Sequence, residues 1–366
     1  MKILYVATIS NTINRFLIPH IELLLDHGHQ VDIACNIDSE ISNRLTKQGC
    51  KVINIGFQRS PLSKQNYSAY KHLKMLIQEE KYNIVHTHTP IASACTRLAC
   101  KKLQDVKVIY TAHGFHFFKG APLKNWLIYY PIERILARYT DLLITINKED
   151  YDRAEKFLSV GKVEYLPGVG IDTQRFNEVV VDKLSKRKEL GVPKDAVLLL
   201  SVGELNKNKN HQTIIRAIGM LNNPDIYYVI CGAGKLKDDL IELSQYLGIE
   251  ERVKIIGYRE DIDEILKVAD IFAFPSFREG LSVALMEAIT CGLPVICSNI
   301  RGNNDLIKSG EGGVLVKPDD VKGFANSIDR VLLDTGKRMS LSNKEKTKII
   351  DVNNILKRMQ EIYSNF

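Results

Sequence analysis

Short apolar, β-branched runs alternate with longer amphipathic stretches from the first residue onward. Residues 2–8, 30–35, 51–55, 83–88, 107–112, 141–146 and 162–166 predict strands. Between most of them lies a segment of 3.6 periodicity such as FLIPHIELLLDHG, residues 16–28, in which Gly28 suits a helix C-cap. Strands that are apolar on both faces and alternate with helices predict a parallel sheet covered on both sides. PGVG at 167–170 breaks this alternation, and a charged, strand-free stretch containing DKLSKRKE follows. AVLLLSVG restarts the pattern at Ala196, with strands predicted near 197–203, 226–231, 253–257, 270–274, 294–298 and 313–316. The expected organisation is a first domain over 1–170, a second over 190–344, and a helical tail from about 345 to 366.

Composition agrees with this division. The chain has 366 residues, 45% apolar and 25% charged, the balance of a soluble globular protein of two ordinary domains. No apolar run approaches the roughly 18 residues of a membrane span. MKILYVATIS lacks a small-residue cleavage pattern and reads as a first strand rather than a leader. The seven cysteines are odd in number, include no C-x-x-C pair and sit mostly in apolar surroundings, as reduced thiols of a cytoplasmic protein would. Net charge is +7, and all of that excess lies within residues 1–170. That half is therefore the candidate to face an anionic surface.

Candidate chemistry concentrates in FPSFREGLSVALMEAITCGLPVICS, residues 274–298. A strand, a loop containing Gly280 and a helix opening near Ser282 would present unpaired amides at Gly280, Leu281, Ser282 and Val283 to a diphosphate. Glu287 could then accept hydrogen bonds from a ribose diol, and Glu279 from sugar hydroxyls beyond the phosphates. Isolated glutamates at such positions are ordinarily a first-turn charge and a solvated helix face; the strand–loop–helix setting reverses that preference. SVGELNKNKNH at 201–211 repeats the strand, Gly turn and helix entry, and carries Lys207 and Lys209 toward the same end of the sheet. CGAGK at 231–235 lacks the spacing of a dinucleotide fingerprint or P-loop. DID at 261–263 opens a predicted helix and reads as capping.

These residues resemble the retaining nucleotide-sugar glycosyltransferases of family 4, above all in the E-x7-E element from Glu279 to Glu287, and the wording is most like bacterial exopolysaccharide and capsule enzymes. The resemblance spans essentially the whole chain. It implies the GT-B fold: two Rossmann-like, doubly wound α/β domains facing a central cleft, with the last helix returning to the first domain. It implies that Glu287 holds the ribose, that Glu279 meets the donor sugar as a catalytic group, and that Leu281 and Ser282 give amides to the phosphates. Lys209 falls at the diphosphate lysine, six residues after Gly203. The family commonly has arginine directly after that glycine, where this chain has Glu204; either Lys207, Arg278 or Arg259 substitutes, or that part of the clamp is weaker.

In the first domain the resemblance places His113, at the end of KVIYTA, against the donor sugar and phosphate, with His116 a nearby competitor. His86 and His88 share one face of a strand; without a nearby carboxylate or cysteine they do not complete a tetrahedral zinc set with His113, and they read as lining the acceptor site. Residues 114–139 hold seven of the chain's 28 aromatics, including Trp126, beside Lys119, Lys124, Arg134 and Arg138 and against the lone Glu133. That mixture suits a membrane interface carrying anionic lipid.

The expected activity is transfer of a sugar from a nucleotide sugar, UDP-linked by preference, to a polyprenyl-diphosphate-linked saccharide, with retention and without metal or other cofactor, by a cytoplasmic enzyme peripheral to the inner membrane face. No side chain stands out as a nucleophile, so a same-face route is expected in which the departing phosphate oxygen takes the acceptor proton. A nucleotide-sugar epimerase of the same architecture is the alternative, and it would leave the aromatic-basic window without a purpose. Nucleic-acid binding lacks a recognition helix or RNA-binding signature. A dehydrogenase lacks G-x-G-x-x-G after the first strand.

Overall fold

A computed structural model describes the backbone of all 366 residues and every side chain except those of residues 334–338, 341 and 344. The chain divides into two compact units, Met1–Val169 with Asn353–Phe366, and Gly170–Val352.

The first unit is built on seven parallel strands: β1 (Lys2–Ile9), β2 (Gln30–Asn36), β3 (Val52–Asn54), β4 (Ile84–His88), β5 (Lys107–Ala112), β6 (Leu142–Thr145) and β7 (Lys162–Tyr165). Their order is β3-β2-β1-β4-β5-β6-β7. The switch point therefore lies between β1 and β4, where the crossovers change face. Side chains of β1 alternate between two cores. Ile3 and Tyr5 join one with Ile33 and Ile109, while Leu4 and Val6 join the other with Val85 and Leu73. The nearly unbroken apolar run of residues 3–7 is what a strand covered on both faces requires.

The second unit repeats the plan with β8 (Val197–Val202), β9 (Ile226–Cys231), β10 (Val253–Gly257), β11 (Ile271–Phe274), β12 (Val295–Ser298), β13 (Lys308–Ser309) and β14 (Gly312–Val316). The order is β10-β9-β8-β11-β12-β14-β13, again all parallel. The sequence pattern does not predict β13, which is two residues long and exposed.

The helical tail divides. The helix Gly336–Ile350 belongs to the second unit, where Asn343 Nδ2 donates to the carbonyls of Leu293 (2.7 Å) and Gly312 (2.6 Å). The helix Val352–Ser364 buries Ile355, Met359, Ile362 and Tyr363 in the first unit's core. The expected return to the first domain thus begins at 353 rather than near 345, and residues 171–189 belong to the second unit. At the return, Ile171 N donates to Ile350 O (2.8 Å) and Val352 N to Ile171 O (2.9 Å).

Candidate functional site

In the second unit, β11 ends at Phe274 and a loop leads to the helix Val283–Thr290. Ser282 is its N-cap, in extended conformation, with Oγ accepting from Leu285 N at 3.4 Å. Glu287 is half-buried about one and a half turns further on. The loop after β8 is stitched to this segment: Phe277 N donates to Asn208 O (2.8 Å), Asn208 Nδ2 to Arg278 O (2.9 Å) and Asn210 Nδ2 to Pro275 O (3.1 Å). Asn210 holds this geometry at a positive φ of 56°, where asparagine is tolerated.

The stitching brings Lys209 Nζ to 2.9 Å from Glu279 Oε1 and 4.8 Å from the centroid of the Phe274 ring. Both charged side chains are mostly covered, 20% and 14% exposed. From the other side, Arg301 Nε donates to Glu279 O (3.1 Å). Gly302 lies so close to Gly280 that an added Cβ would stand 2.1 Å from its carbonyl oxygen. Ser276 Oγ, Ser298 Oγ and Asn303 Oδ1 are buried without a protein partner at the carboxyl ends of β11 and β12. Polar atoms buried this way mark a place where a polar ligand or water belongs.

Lys209, Glu279, Gly280, Leu281 and Ser282 therefore lie together at the carboxyl end of the sheet, and Gly203 and Lys207 lie on the same loop as Lys209. Arg259 is committed elsewhere: its guanidinium is held by Asp261 and Glu189. Asp261 stands at an N-cap position, yet its carboxylate bonds no helix amide; Arg259 and Lys186 (2.9 Å) take it. Asp263 pairs with Arg175 at 2.9 Å. DID does open the helix Ile262–Val268, with Asp263 Oδ1 accepting from Glu264 N (3.0 Å), and its aspartates enter these ion pairs as well. The CGAG turn is structural. A Cβ at Gly232 would lie 1.9 Å from Gly203 O, so the glycine lets two turns meet. Asn208, Asn210, Arg301 and Gly302 escape the sequence reading, although RGNN after β12 repeats the strand-end Gly signal used elsewhere.

In the first unit, His86 is fully buried, with Nδ1 at 2.6 Å from Tyr363 Oη and Nε2 at 2.8 Å from Thr111 Oγ1. With both nitrogens satisfied inside the unit, it is a core histidine and lines no acceptor site. His88 is also buried, Nδ1 standing 3.2 Å from Nε2 of the half-buried His113. Burial holds His86 and His88 well below the usual histidine pKa and lowers His113 to about 4, so all three are neutral near pH 7. Among the described residues no group of three or more His, Cys, Asp or Glu is placed to hold a metal ion.

Two family patterns match: glycosyl transferases group 1 over residues 182–348 and glycosyl transferase 4-like over 2–147. EpsD of Bacillus subtilis (strain 168), assigned to the glycosyltransferases, is 36% identical over 90% of this chain and 87% of its own. The chain belongs to glycosyltransferase family 4. An Escherichia coli galactosyltransferase acting on α-D-GlcNAc-diphosphoundecaprenol is 34% identical over 81% of this chain and 80% of its own. HepE of Anabaena, solved with UDP-glucose, superposes with a TM-score of 0.83 at 20% identity over the whole of both chains and shares the GT-B fold.

The aromatic-basic window of this glycosyltransferase sorts into two faces. Trp126 packs against Phe117 and Tyr130, with the Arg153 guanidinium 4.7 Å from its ring. His116 stacks on Tyr129. Neither ring belongs to the outward face of the helix Leu123–Ala137. That face carries Leu123, Leu127, Ile128, Ile132 and Ile135, all about half exposed or more, with Lys124 and Arg134 beside them. Lys119 is exposed in the preceding loop. The aromatics that mark the window in the sequence thus pack inward, and aliphatic residues form its exposed face. No helix among the described residues is long and apolar enough to cross a membrane.

Proposed function

We propose that this family 4 enzyme transfers a sugar from a UDP-sugar to a polyprenyl-diphosphate-linked saccharide in polysaccharide synthesis, with retention at the anomeric carbon. The observation carrying this reading is the closure of Lys209 and Glu279 beside the amino end of the helix Val283–Thr290. Helix amides and the Lys209 ammonium supply positive field where charge develops on the leaving diphosphate, so the chemistry asks for no metal. Glu287 accepts from the ribose diol, and Glu279 from sugar hydroxyls. His113, neutral, contacts the donor sugar and its phosphate. The departing phosphate oxygen takes the acceptor proton on the same face.

The named relatives support the acceptor class. Besides the E. coli enzyme, an N-acetylgalactosaminyltransferase of Campylobacter jejuni whose acceptor is an undecaprenol-linked saccharide is 29% identical over 69% of this chain. UDP as the donor nucleotide is supported by the donor of the E. coli relative and by the UDP-glucose complex of HepE. These relatives are glycosyltransferases by name, which favours transfer over the epimerase alternative. We place the enzyme at the inner face of the cell membrane, with the aliphatic face of the helix Leu123–Ala137 in the interface and Lys119, Lys124 and Arg134 toward anionic headgroups.

The test is incubation with a panel of UDP- and GDP-sugars and undecaprenyl-diphosphate-linked N-acetylglucosamine, in buffer with and without EDTA. Product carrying the donor's anomeric configuration by NMR, at a rate indifferent to EDTA, is expected. Donor hydrolysis or epimerisation without acceptor glycosylation would refute the reading.

A further inference from the structure

The two histidines at the end of β4 differ in what they bond. His86 has a partner on each ring nitrogen, supplied by Thr111 and Tyr363. His88, equally buried, stacks on Tyr5 and bonds only another histidine, His113, while its Nε2 has no partner. A position that merely filled space would be served by an aliphatic side chain without leaving a polar atom orphaned.

The orphan selects a tautomer. Were His113 Nε2–H to donate to His88, the His88 proton would sit on Nε2 as a buried N–H with no acceptor. Native structures avoid orphaned N–H groups more strictly than under-used acceptors. With the His88 proton on Nδ1, the buried Nε2 is only an unused lone pair.

We propose that His88 is a positioning residue for His113: it donates from Nδ1 to His113 Nε2, orients that ring, and fixes the His113 proton on Nδ1, leaving a neutral hydrogen-bond donor for an oxygen of the sugar nucleotide. This rests on the reading of His113 as a donor contact. Neutrality follows from burial, which keeps both rings uncharged near pH 7. The arrangement parallels a base whose tautomer is set by a second group.

The experiment compares H88L, H88N, H88Q and H113A with the wild-type enzyme in steady-state transfer, donor binding by calorimetry and thermal unfolding. The Asn amide places an N–H near the Nδ1 position; Gln reaches toward Nε2 instead. H88L and H88Q are expected to lose about 10- to 100-fold in kcat, the scale of a misplaced reacting group, with donor KM within about 3-fold. H88N is expected to stay within about 5-fold of wild-type kcat, because the donor at that place is kept. Should H88L fold poorly, the Asn–Gln contrast decides. Equal activity of H88N and H88Q, or wild-type kcat in H88L beside an impaired H113A, overturns the proposal and leaves the role of His113 standing. Wild-type kcat in H113A removes both.

Discussion

Lys209 Nζ and Glu279 Oε1, from loops seventy positions apart in the chain, meet at 2.9 Å. The contact joins the loop after β8 to the loop after β11, and each charge tempers the other at the mouth of a helix that favours anions. A cation held by one carboxylate is positioned without being fully neutralised, so it remains available to a diphosphate. K209A is expected to lower kcat/KM for the donor by about 100-fold, as removal of one charge-stabilising donor does, and K209R by less. E279Q should lower kcat more than it raises donor KM. Initial rates against donor concentration check both; a K209A enzyme at wild-type efficiency would contradict the assignment.

Glu287 faces a different test, because its proposed partner can be removed from the ligand. Hydrogen bonds to a charged acceptor contribute about 1.5–3 kcal/mol, so E287A should weaken donor binding by roughly 10- to 100-fold. A donor lacking the ribose 2′-hydroxyl should bind the wild-type enzyme less well and the variant no worse than the full donor does. Additive losses measured by calorimetry would show that Glu287 and the ribose do not meet.

Acid sensitivity follows from the histidines of the first unit. Burial lowers His20, His86 and His88, and lowers His113 to about 4, against about 6.5 in an unfolded chain. Below 6.5 the unfolded chain takes up protons that the folded one refuses, so the stabilisation is complete above that pH and is lost as pH falls toward the folded values. The urea midpoint is expected to drop between pH 6.5 and 4, and to drop less steeply in H88N and H113N. Parallel profiles in wild type and variants would place the acid sensitivity elsewhere.

The outward aliphatic face of the helix Leu123–Ala137 predicts lipid binding that is both apolar and charge-dependent. The double variant L127S/I132S should release the enzyme from vesicles containing anionic lipid, and R134E should do so mainly at low salt. W126A should instead lower thermal stability, since that ring is packed against Phe117 and Tyr130. Vesicle flotation separates these outcomes.

What was legible in the sequence was whatever local periodicity and turn chemistry dictate. Thirteen of the fourteen strands fall where apolar runs lie, and Ser282 caps its helix because a short hydroxyl before an apolar stretch can bond the first-turn amides. Lys209 and Glu279 could be placed at strand ends, but their pairing depends on asparagine side chains bonding carbonyls some 65 to 70 positions away. The fate of His86 was not legible for the same reason. A histidine becomes a core residue only when Thr111 and Tyr363 supply its partners, and Tyr363 comes from 277 positions away.

Glu133, the lone acid of the window, has a role that composition concealed. It forms a two-pronged ion pair with Arg97, whose side chain is 1% exposed, whose guanidinium lies 4.4 Å from the Tyr110 ring centroid, and whose Nη2 also donates to Ser93 Oγ at 2.7 Å. The pair ties the helix Leu123–Ala137 to the helix Pro90–Cys100, holding the aliphatic face outward. Desolvating two charges makes the net gain from such a pair small, but removing one partner strands the other in a dry interior. E133A is therefore expected to cost about 3–5 kcal/mol in urea unfolding, and R97M/E133L far less, because it removes both charges and fills the space. The double variant also separates anchoring from charge. Vesicle binding that survives in R97M/E133L would show that the helix needs only to be held in place, whereas its loss with stability intact would assign the geometry of the face to the ion pair itself.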